Sequence, residues 1–307
     1  MAPEPRRRPP RPRHPVGAGL RPVLALLVAA LVLLAVPAAA APGKAVFAPL
    51  RQRLIRDGYP PAFVHSLFER PEVRFDPRVM PRKLTHDESR IDYARFLRPE
   101  RLARAHAFLD RNRDLLVSIE ARFLVPKEIK VAILLVETDL GRYLGAGRAF
   151  NILASMAAAG DLERVRPWIP GRLLRPETVE KTRRLLRKKA RWAYEELKAL
   201  IEYAARNGQD LLSIRGSIFG AIGLCQFMPT NALRFGVDED GDGRVDLFEK
   251  PDALASMANY LRCHGWEPEM DREKQEAVIL SYNPSRPYAR TVLAVAERLQ
   301  DMETRVR

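Results

Sequence analysis

The sequence predicts a mainly α-helical protein with at most a small sheet. Apolar residues recur at three- and four-residue intervals through long segments. Proline and glycine punctuate those segments at the ends where helices start and stop. No stretch sustains the alternation of a half-buried strand.

Residues 1–41 stand outside the expected fold. "MAPEPRRRPPRPRHP" is basic and proline-rich, Val23–Val36 is apolar, and "PAAAAPG" supplies small residues. That order is the order of a secretory signal. The apolar run is about 14 residues, short of the roughly 20 that a spanning helix needs. Cleavage after Ala40 is expected, with an uncleaved N-terminal anchor as the alternative. No Cys lies near this site, so a lipid-modified N-terminus is not expected.

Residues 42–98 read as loop-rich, with one short amphipathic helix in "FAPLRQRLIRDG". From Pro99 onward Leu102, Ala105, Leu109, Leu116, Ile119 and Phe123 recur at helix spacing. "VPKEIKVAILLVETDLG" follows. Pro126 suits a first turn, Glu128 suits the positive end of the helix dipole, and Gly141 marks a stop. Residues 144–176 are mixed and broken by Pro and Gly. A long basic helix is expected over 177–207, ended by Gly208. "GSIFGAIGLCQFMPTNA" (216–232) is glycine-spaced and too irregular for a long helix. "PDALASMANYLRCHGW" (251–266) reads as a helix with Pro251 near its start and Gly265 as its stop. Residues 282–299 open as a turn and close as a helix.

The 307 residues carry 52 Lys and Arg against 38 Asp and Glu, a net charge of +14. Setting aside the +5 of residues 1–41 leaves +9 on an exported product. A basic exported protein is drawn to polyanions such as carboxylate-bearing wall glycan, anionic lipid or nucleic acid. No nucleic-acid module is present, and the basic residues gather on amphipathic helices, as on a solvated face. Cys225 and Cys263 are the two cysteines. They can form one disulfide in an oxidising compartment, and two alone cannot build a tetrahedral zinc site.

Glu137 is the first candidate for chemistry. It ends an aliphatic run, and a buried carboxylate is costly unless it is paired or protonated. Either it faces solvent, or paired with Arg142, or it sits in an apolar cleft with a raised pKa and serves as a general acid. The loop at 238–249 is more specific. Asp238, Asp240, Asp242, Gly243, Asp246 and Glu249 follow D-x-D-x-D-G-x5-E, an EF-hand-like calcium pattern, with Arg244 offering its backbone carbonyl. The alternative is an acidic surface loop. A single such loop suits a structural calcium rather than a sensor.

Taken together, "VPKEIKVAILLVETDLG", "GSIFGAIGLCQFMPTNA", "VDEDGDGRVDLFEKPDALASMANYLRCHGW" and "SYNPSRPYARTVLAVAERL" resemble the lytic murein transglycosylases of the membrane-bound B type over roughly residues 90–300. The resemblance implies a lysozyme-like core within a helical protein, so that residues 99–307 hold the catalytic domain and the calcium loop. It implies non-hydrolytic cleavage of the β-1,4 bond between N-acetylmuramic acid and N-acetylglucosamine in peptidoglycan. By position Glu137 matches the single acid/base of the family. Ser217, Gln226, Phe227, Met228, Tyr260, Tyr282 and Asn283 match groove residues, with Tyr288 lining the same cleft. Ordinary glycosidases use two carboxylates. Here the substrate's own C6 hydroxyl would replace the second, and catalysis needs no cofactor. The implied partners are peptidoglycan glycan strands and, among proteins, peptidoglycan synthases or divisome proteins. The implied location is the periplasm, without a lipid anchor. Arg164 and Arg166 are the candidates to grip the peptide stem, in place of an Arg-Arg pair after "NILASM". Cys225 and Cys263 flank groove segments, and a disulfide bracing the groove is expected. The competing readings are a hydrolytic muramidase and a non-catalytic, calcium-binding wall scaffold. The nearest second carboxylate for a muramidase, Asp139, points away from Glu137 at i+2 on a helix.

Overall fold

The computed structural model describes residues 44–88 and 91–306. The export-signal expectation falls on residues 1–41 and lies outside the described residues. Thirteen α-helices and one two-stranded antiparallel sheet make up the regular structure of the described residues. No helix among the described residues is long and apolar enough to cross a membrane.

The organising element is α6 (Lys127–Thr138). Nine of its twelve residues are buried, including Val131 through Leu135 in an unbroken row. A helix apolar on every side must be covered on every side. The cover consists of α4 (Pro99–Arg111), α5 (Arg113–Phe123), α11 (Lys250–Cys263) and α13 (Arg286–Val306). The run 99–123 is therefore two helices. Asn112, at φ −119° and ψ 23°, breaks it, and its Nδ2 donates to the Phe108 carbonyl at 2.7 Å. Lys130 is fully buried in α6 and donates from Nζ to the Val125 carbonyl at 2.7 Å. Burial pushes its ammonium down to about 8.

A second helical layer centres on α9 (Pro176–Arg206), the long basic helix the sequence predicts. It packs against α7 (Ala149–Ala158) and α10 (Pro229–Phe235). The sequence reading left α7 inside a mixed segment. Eight of its ten residues are buried, all apolar but Ser155, and they fall on every face, so no amphipathic period marks it.

Residues 44–98 need correction. They hold three α-helices rather than one: α1 (Ala48–Arg56), α2 (Pro61–Glu69) and α3 (Val79–Thr85). This segment belongs to the same unit as the rest of the described residues. Polar side chains of α7 fasten it. Asn151 Oδ1 accepts from the Arg74 amide and Nδ2 donates to the Glu72 carbonyl, while Ser155 Oγ accepts from the Asp76 amide.

The sheet is minimal. β1 (Gly147–Arg148) pairs with β2 (Arg215–Gly216) in the register Gly147 opposite Gly216. Isolated bridges then link Gly216 to Ile222 and Ile222 to Phe227, folding residues 216–227 into tight turns. Close backbone approach explains the glycines here. Gly145, at φ +92°, lies so near β2 that a Cβ would stand 2.0 Å from the Gly216 carbonyl oxygen. Gly145→Ala is therefore expected to lower stability by roughly 2–4 kcal/mol. Gly58→Ala, at φ +97° with open space around it, is expected to cost only about 1 kcal/mol. Urea unfolding of both variants checks this, and equal losses would dismiss the steric argument.

Candidate active site

The site begins where α6 ends. Glu137 is the penultimate residue of the helix, and the three residues after Thr138 all take left-handed backbone: Asp139 at φ +50°, Leu140 at +62° and Gly141 at +86°. Two of these are not glycine, so the turn is strained and must be held. Arg101 and Arg104 of α4 hold it by pairing with Asp139 Oδ1 at 3.3 and 2.8 Å. Thr138 holds it from inside. Its buried hydroxyl lies 3.1 Å from the Leu224 carbonyl and accepts from the Gly141 amide at 3.0 Å. The two arginine pairs occupy Asp139, the nearest second carboxylate for a muramidase.

Glu137 itself is half-buried, with no ion pair among the described residues. Tyr288 of α13 donates its hydroxyl to Glu137 Oε1 at 2.7 Å. Loss of solvent around the carboxyl pushes its pKa up to about 7. The Tyr288 hydrogen bond pulls the other way without cancelling it, and the Glu88 charge pushes further up. Its place at the negative end of the helix dipole acts in the same upward direction. Tyr288 fixes which oxygen does what. An Oε1 that accepts from Tyr288 is the carbonyl oxygen of the protonated acid, so the proton resides on Oε2.

The other expected groove residues divide into two layers. Ser217, Gln226, Met228, Tyr282 and Asn283 keep partial exposure. Ser217 Oγ accepts from the Phe219 and Ala221 amides, and Gln226, left-handed at φ +51°, donates Nε2 to the Gly223 carbonyl at 2.9 Å. Phe227 and Tyr260 are buried and support that surface rather than line it. Phe227 packs against the rings of Tyr260 and Tyr282, at 5.5 and 5.8 Å between centroids, and those two rings meet edge-on at 5.1 Å. Tyr260 donates to the Ser281 carbonyl and Tyr282 to the Cys225 carbonyl.

The disulfide expectation is corrected. Cys225 and Cys263 are both free thiols. Cys225 is fully buried beside the floor of the site, and burial pushes its thiol up to about 12. Cys263 lies on the solvent face of α11, with Sγ 3.6 Å from Asn259 Oδ1. Its place gives the reason: Cys263 is the last residue of α11, and Arg262, Cys263 and His264 are all exposed there. Arg164 and Arg166 also have structural partners, namely the Ala158 carbonyl and Glu163.

Sequence reasoning missed Glu88. Its Oε1 accepts from the Tyr93 hydroxyl and from Asn283 Nδ2, each at 2.8 Å. Tyr93 in turn meets Tyr288 edge-on at 6.4 Å. No local pattern singles out Glu88, because 195 residues separate it from Asn283. A 400 Å³ hollow bordered by Phe63, Leu67, Arg70 and Asp210 shares none of these groups.

Asp238 and Asp240 of the calcium-type loop and Asp252 of the first turn of α11 bring carboxylate oxygens within 4.8 Å of one another. Asp252 was not among the expected ligands, and Glu249 is not part of this group. Asp252 is buried and accepts from the Glu239 and Asp246 amides. Asp242 accepts from the Arg244 amide, and Asp246 from Phe248 and Gln209.

The raised pKa of Glu137 has a consequence for stability. A carboxyl whose folded pKa is about 7 against an ordinary 4.5 favours the fold below pH 4.5, and that contribution is lost as pH rises through 7. Glu137→Gln removes the titration. The variant is expected to match the parent near pH 4 and to be more stable at pH 8, by up to about 3 kcal/mol. Thermal unfolding at the two pH values checks this, and a pH-independent difference would mean that Glu137 is not desolvated.

Residues 43–275 match the family described as Transglycosylase SLT domain. Membrane-bound lytic murein transglycosylase B of Escherichia coli (strain K12) is 29% identical over 172 residues, which is 56% of this chain and 40% of that protein's length. The soluble lytic transglycosylase SltB1 of Pseudomonas aeruginosa has a TM-score of 0.67 at 22% identity, covering 83% of this chain and 98% of that one. SltB3 of Pseudomonas aeruginosa, solved with NAG-anhNAM-pentapeptide, has a TM-score of 0.65 at 22% identity over 82% of this chain and 78% of that one. An Escherichia coli lytic transglycosylase solved in complex with calcium has a TM-score of 0.64 at 20% identity over 84% and 93%. These solved structures share the fold, which is the mainly helical, lysozyme-like architecture expected from the sequence. With the family matched across most of its length, this chain belongs to the transglycosylase SLT domain family.

Proposed function

We propose that this protein is a lytic transglycosylase that cleaves the β-1,4 bond between N-acetylmuramic acid and N-acetylglucosamine in peptidoglycan. The observation that carries the reading is Glu137, a carboxyl held near neutrality by burial and oriented by Tyr288. One group that must first give and then take a proton works best with a pKa near the working pH. Protonated Glu137 donates from Oε2 to the glycosidic oxygen as the bond to C1 breaks. The muramic acetamido oxygen assists at C1. Ionised Glu137 then removes the C6 hydroxyl proton, and the C6 oxygen bonds to C1, closing a 1,6-anhydro ring. No water is consumed, and Glu137 returns to its protonated form.

Glu88 gives one competing reading its foothold. A muramidase needs a second carboxylate, and Glu88 is close enough to Glu137 to perturb it. The two readings part on product mass. Digestion of purified peptidoglycan by the protein lacking residues 1–41 is expected to release muropeptides one water lighter than reducing-end fragments. Reducing ends would establish hydrolysis instead. Export to the periplasm, through residues 1–41, and contact with synthases or divisome proteins belong to the same proposal.

We also propose that the 238–249 loop holds a structural calcium. Three carboxylates crowd together there, and burial raises the Asp252 pKa, with the Asp238 and Asp240 charges adding to it. A hard divalent cation relieves such crowding with oxygen ligands. Asp238, Asp240, Asp242 and Asp246, the Arg244 carbonyl and Asp252 would hold it. Glu249, although it completes the sequence pattern, starts α11 and is exposed. Its role would be to order the loop and not to enter the reaction. Calcium at 100 times its dissociation constant should stabilise the fold by about 2.7 kcal/mol. Thermal unfolding with calcium and with chelator measures this. Asp252→Asn is expected to abolish the difference, whereas Glu249→Gln is expected to keep most of it.

A further inference from the structure

Glu88 sits at the junction of three site residues, and its geometry is unusually informative. Both of its described hydrogen bonds fall on one oxygen, Oε1: the Tyr93 hydroxyl and Asn283 Nδ2, each at 2.8 Å. A carboxylate accepts and does not donate, so it dictates the orientation of an amide beside it. Asn283 must present its NH2 to Glu88, which turns Oδ1 the other way. Oδ1 is buried and has no hydrogen-bond partner among the described residues. A buried acceptor left unmade is destabilising. A ligand that supplies a donor at that point recovers the cost.

We propose that Glu88 is a positioning residue of the active site. It locks the Asn283 amide so that Oδ1 stands ready as a fixed acceptor for a donor of the bound sugar, the N–H of its acetamido group. This rests on the transglycosylase reading above. The acetamido N–H is a donor only, and so matches an acceptor that cannot turn over. A hydroxyl could bond in either sense and would need no such lock. Holding the N–H also holds the acetamido oxygen, the atom that must reach C1. Tyr93 serves the same carboxylate from the other side. It lies edge-on to Tyr288, so the lock and the acid share one wall.

The charge of Glu88 has a second, separable effect. The groups that face Glu137 are Tyr288 from α13, Tyr282 from the end of α12 (Arg272–Tyr282), Cys225 from the 216–228 turn, Tyr93 from the 93–97 turn and Glu88. Burial raises the pKa of each tyrosine and of the thiol, so all four are neutral at working pH. Only Glu88 raises the Glu137 pKa by its charge.

The test uses Glu88→Gln, Glu88→Asp, Asn283→Ala and the combinations with Asn283→Ala, all with calcium present. A gel-based turnover assay gives kcat and KM, and mass spectrometry identifies the ends. Glu88→Gln can donate to Oδ1 and misorient the amide, so kcat is expected to fall at least tenfold with KM little changed. Its alkaline limb should move to lower pH, because the like charge is gone. Glu88→Asp keeps the charge but withdraws the oxygen from Nδ2. It should lose a similar factor in kcat while keeping the parent pH profile. In the double variants, adding Asn283→Ala should cost little further, since the two residues act as a unit. Additive losses, or parent activity in both Glu88 variants, would overturn the inference. So would a loss that follows only the folded fraction seen by circular dichroism. If Glu88→Gln does not fold, Glu88→Asp and its double variant decide alone. Failure of the parent to release 1,6-anhydro ends would strike the transglycosylase reading instead. Reducing ends that vanish with Glu88→Gln would make Glu88 a hydrolytic base rather than a lock.

Discussion

Everything at the site depends on keeping one carboxyl partly out of water. Glu137 gains its raised pKa from the protein packed around it, and α6 brings it there. Five consecutive fully buried aliphatic and small residues precede it, which leaves the helix no freedom to rotate the carboxyl toward solvent. The chain must then leave the helix at once, before the next turn carries it out of the cleft. It does so through three left-handed residues, two of them disfavoured for L side chains. The Arg101 and Arg104 pairs to Asp139 and the Thr138 contacts to Leu224 and Gly141 hold this exit in place. The Thr and Asp that follow Glu137 are thus explained by the turn, not by chemistry.

The second constraint is the wall that faces Glu137. It includes Tyr282, half-buried with its hydroxyl spent on the Cys225 carbonyl, and this ring is backed by buried Tyr260, whose hydroxyl is spent on the Ser281 carbonyl. A phenol whose hydroxyl is satisfied behaves as a rigid apolar plate. The two rings meet edge-on, and Phe227 packs against both. The layer above keeps Gln226, Tyr282 and Asn283 at partial exposure, a position suited to contact with a glycan. Packing and recognition are therefore divided between adjacent residues of the same short segments.

Much of this was legible in the sequence, and what was not has a common cause. Helices with an apolar stripe declared themselves: α9 lies within one residue of the expected bounds, and α11 starts one residue early and ends three residues short of 266. The end of α6 and the candidacy of Glu137 were legible because a carboxylate after an aliphatic run contradicts the local pattern. By contrast α7 is buried on nearly every side and shows no period, and Asn112 breaks an otherwise continuous spacing through a side-chain bond to Phe108. Glu88, Tyr93 and Asp252 became visible only in three dimensions. Their roles arise from partners far along the chain or from turns within the loop. The expected disulfide failed for a related reason: proximity to groove segments in sequence did not reveal that Cys263 ends α11 at an exposed terminus while Cys225 is buried.

The loop at 238–249 and the groove are not independent. The Leu224 amide donates to the Leu247 carbonyl at 2.7 Å, and the Leu247 amide is taken by the Tyr203 hydroxyl of α9. Gly223, at φ +73°, approaches Leu247 so closely that a Cβ would stand 2.4 Å from its carbonyl oxygen. Leu247 therefore sits between the acidic loop on one side and the turn carrying Cys225 and Gln226 on the other. Its neighbour Asp246 donates its amide to Asp252, the buried member of the acidic cluster. A disordered loop would release the Leu247 carbonyl, and with it the backbone that places Thr138's partner Leu224. The acidic loop thus bears on catalysis mechanically. It sets the position of the turn against which α6 ends, and so the depth at which Glu137 is held.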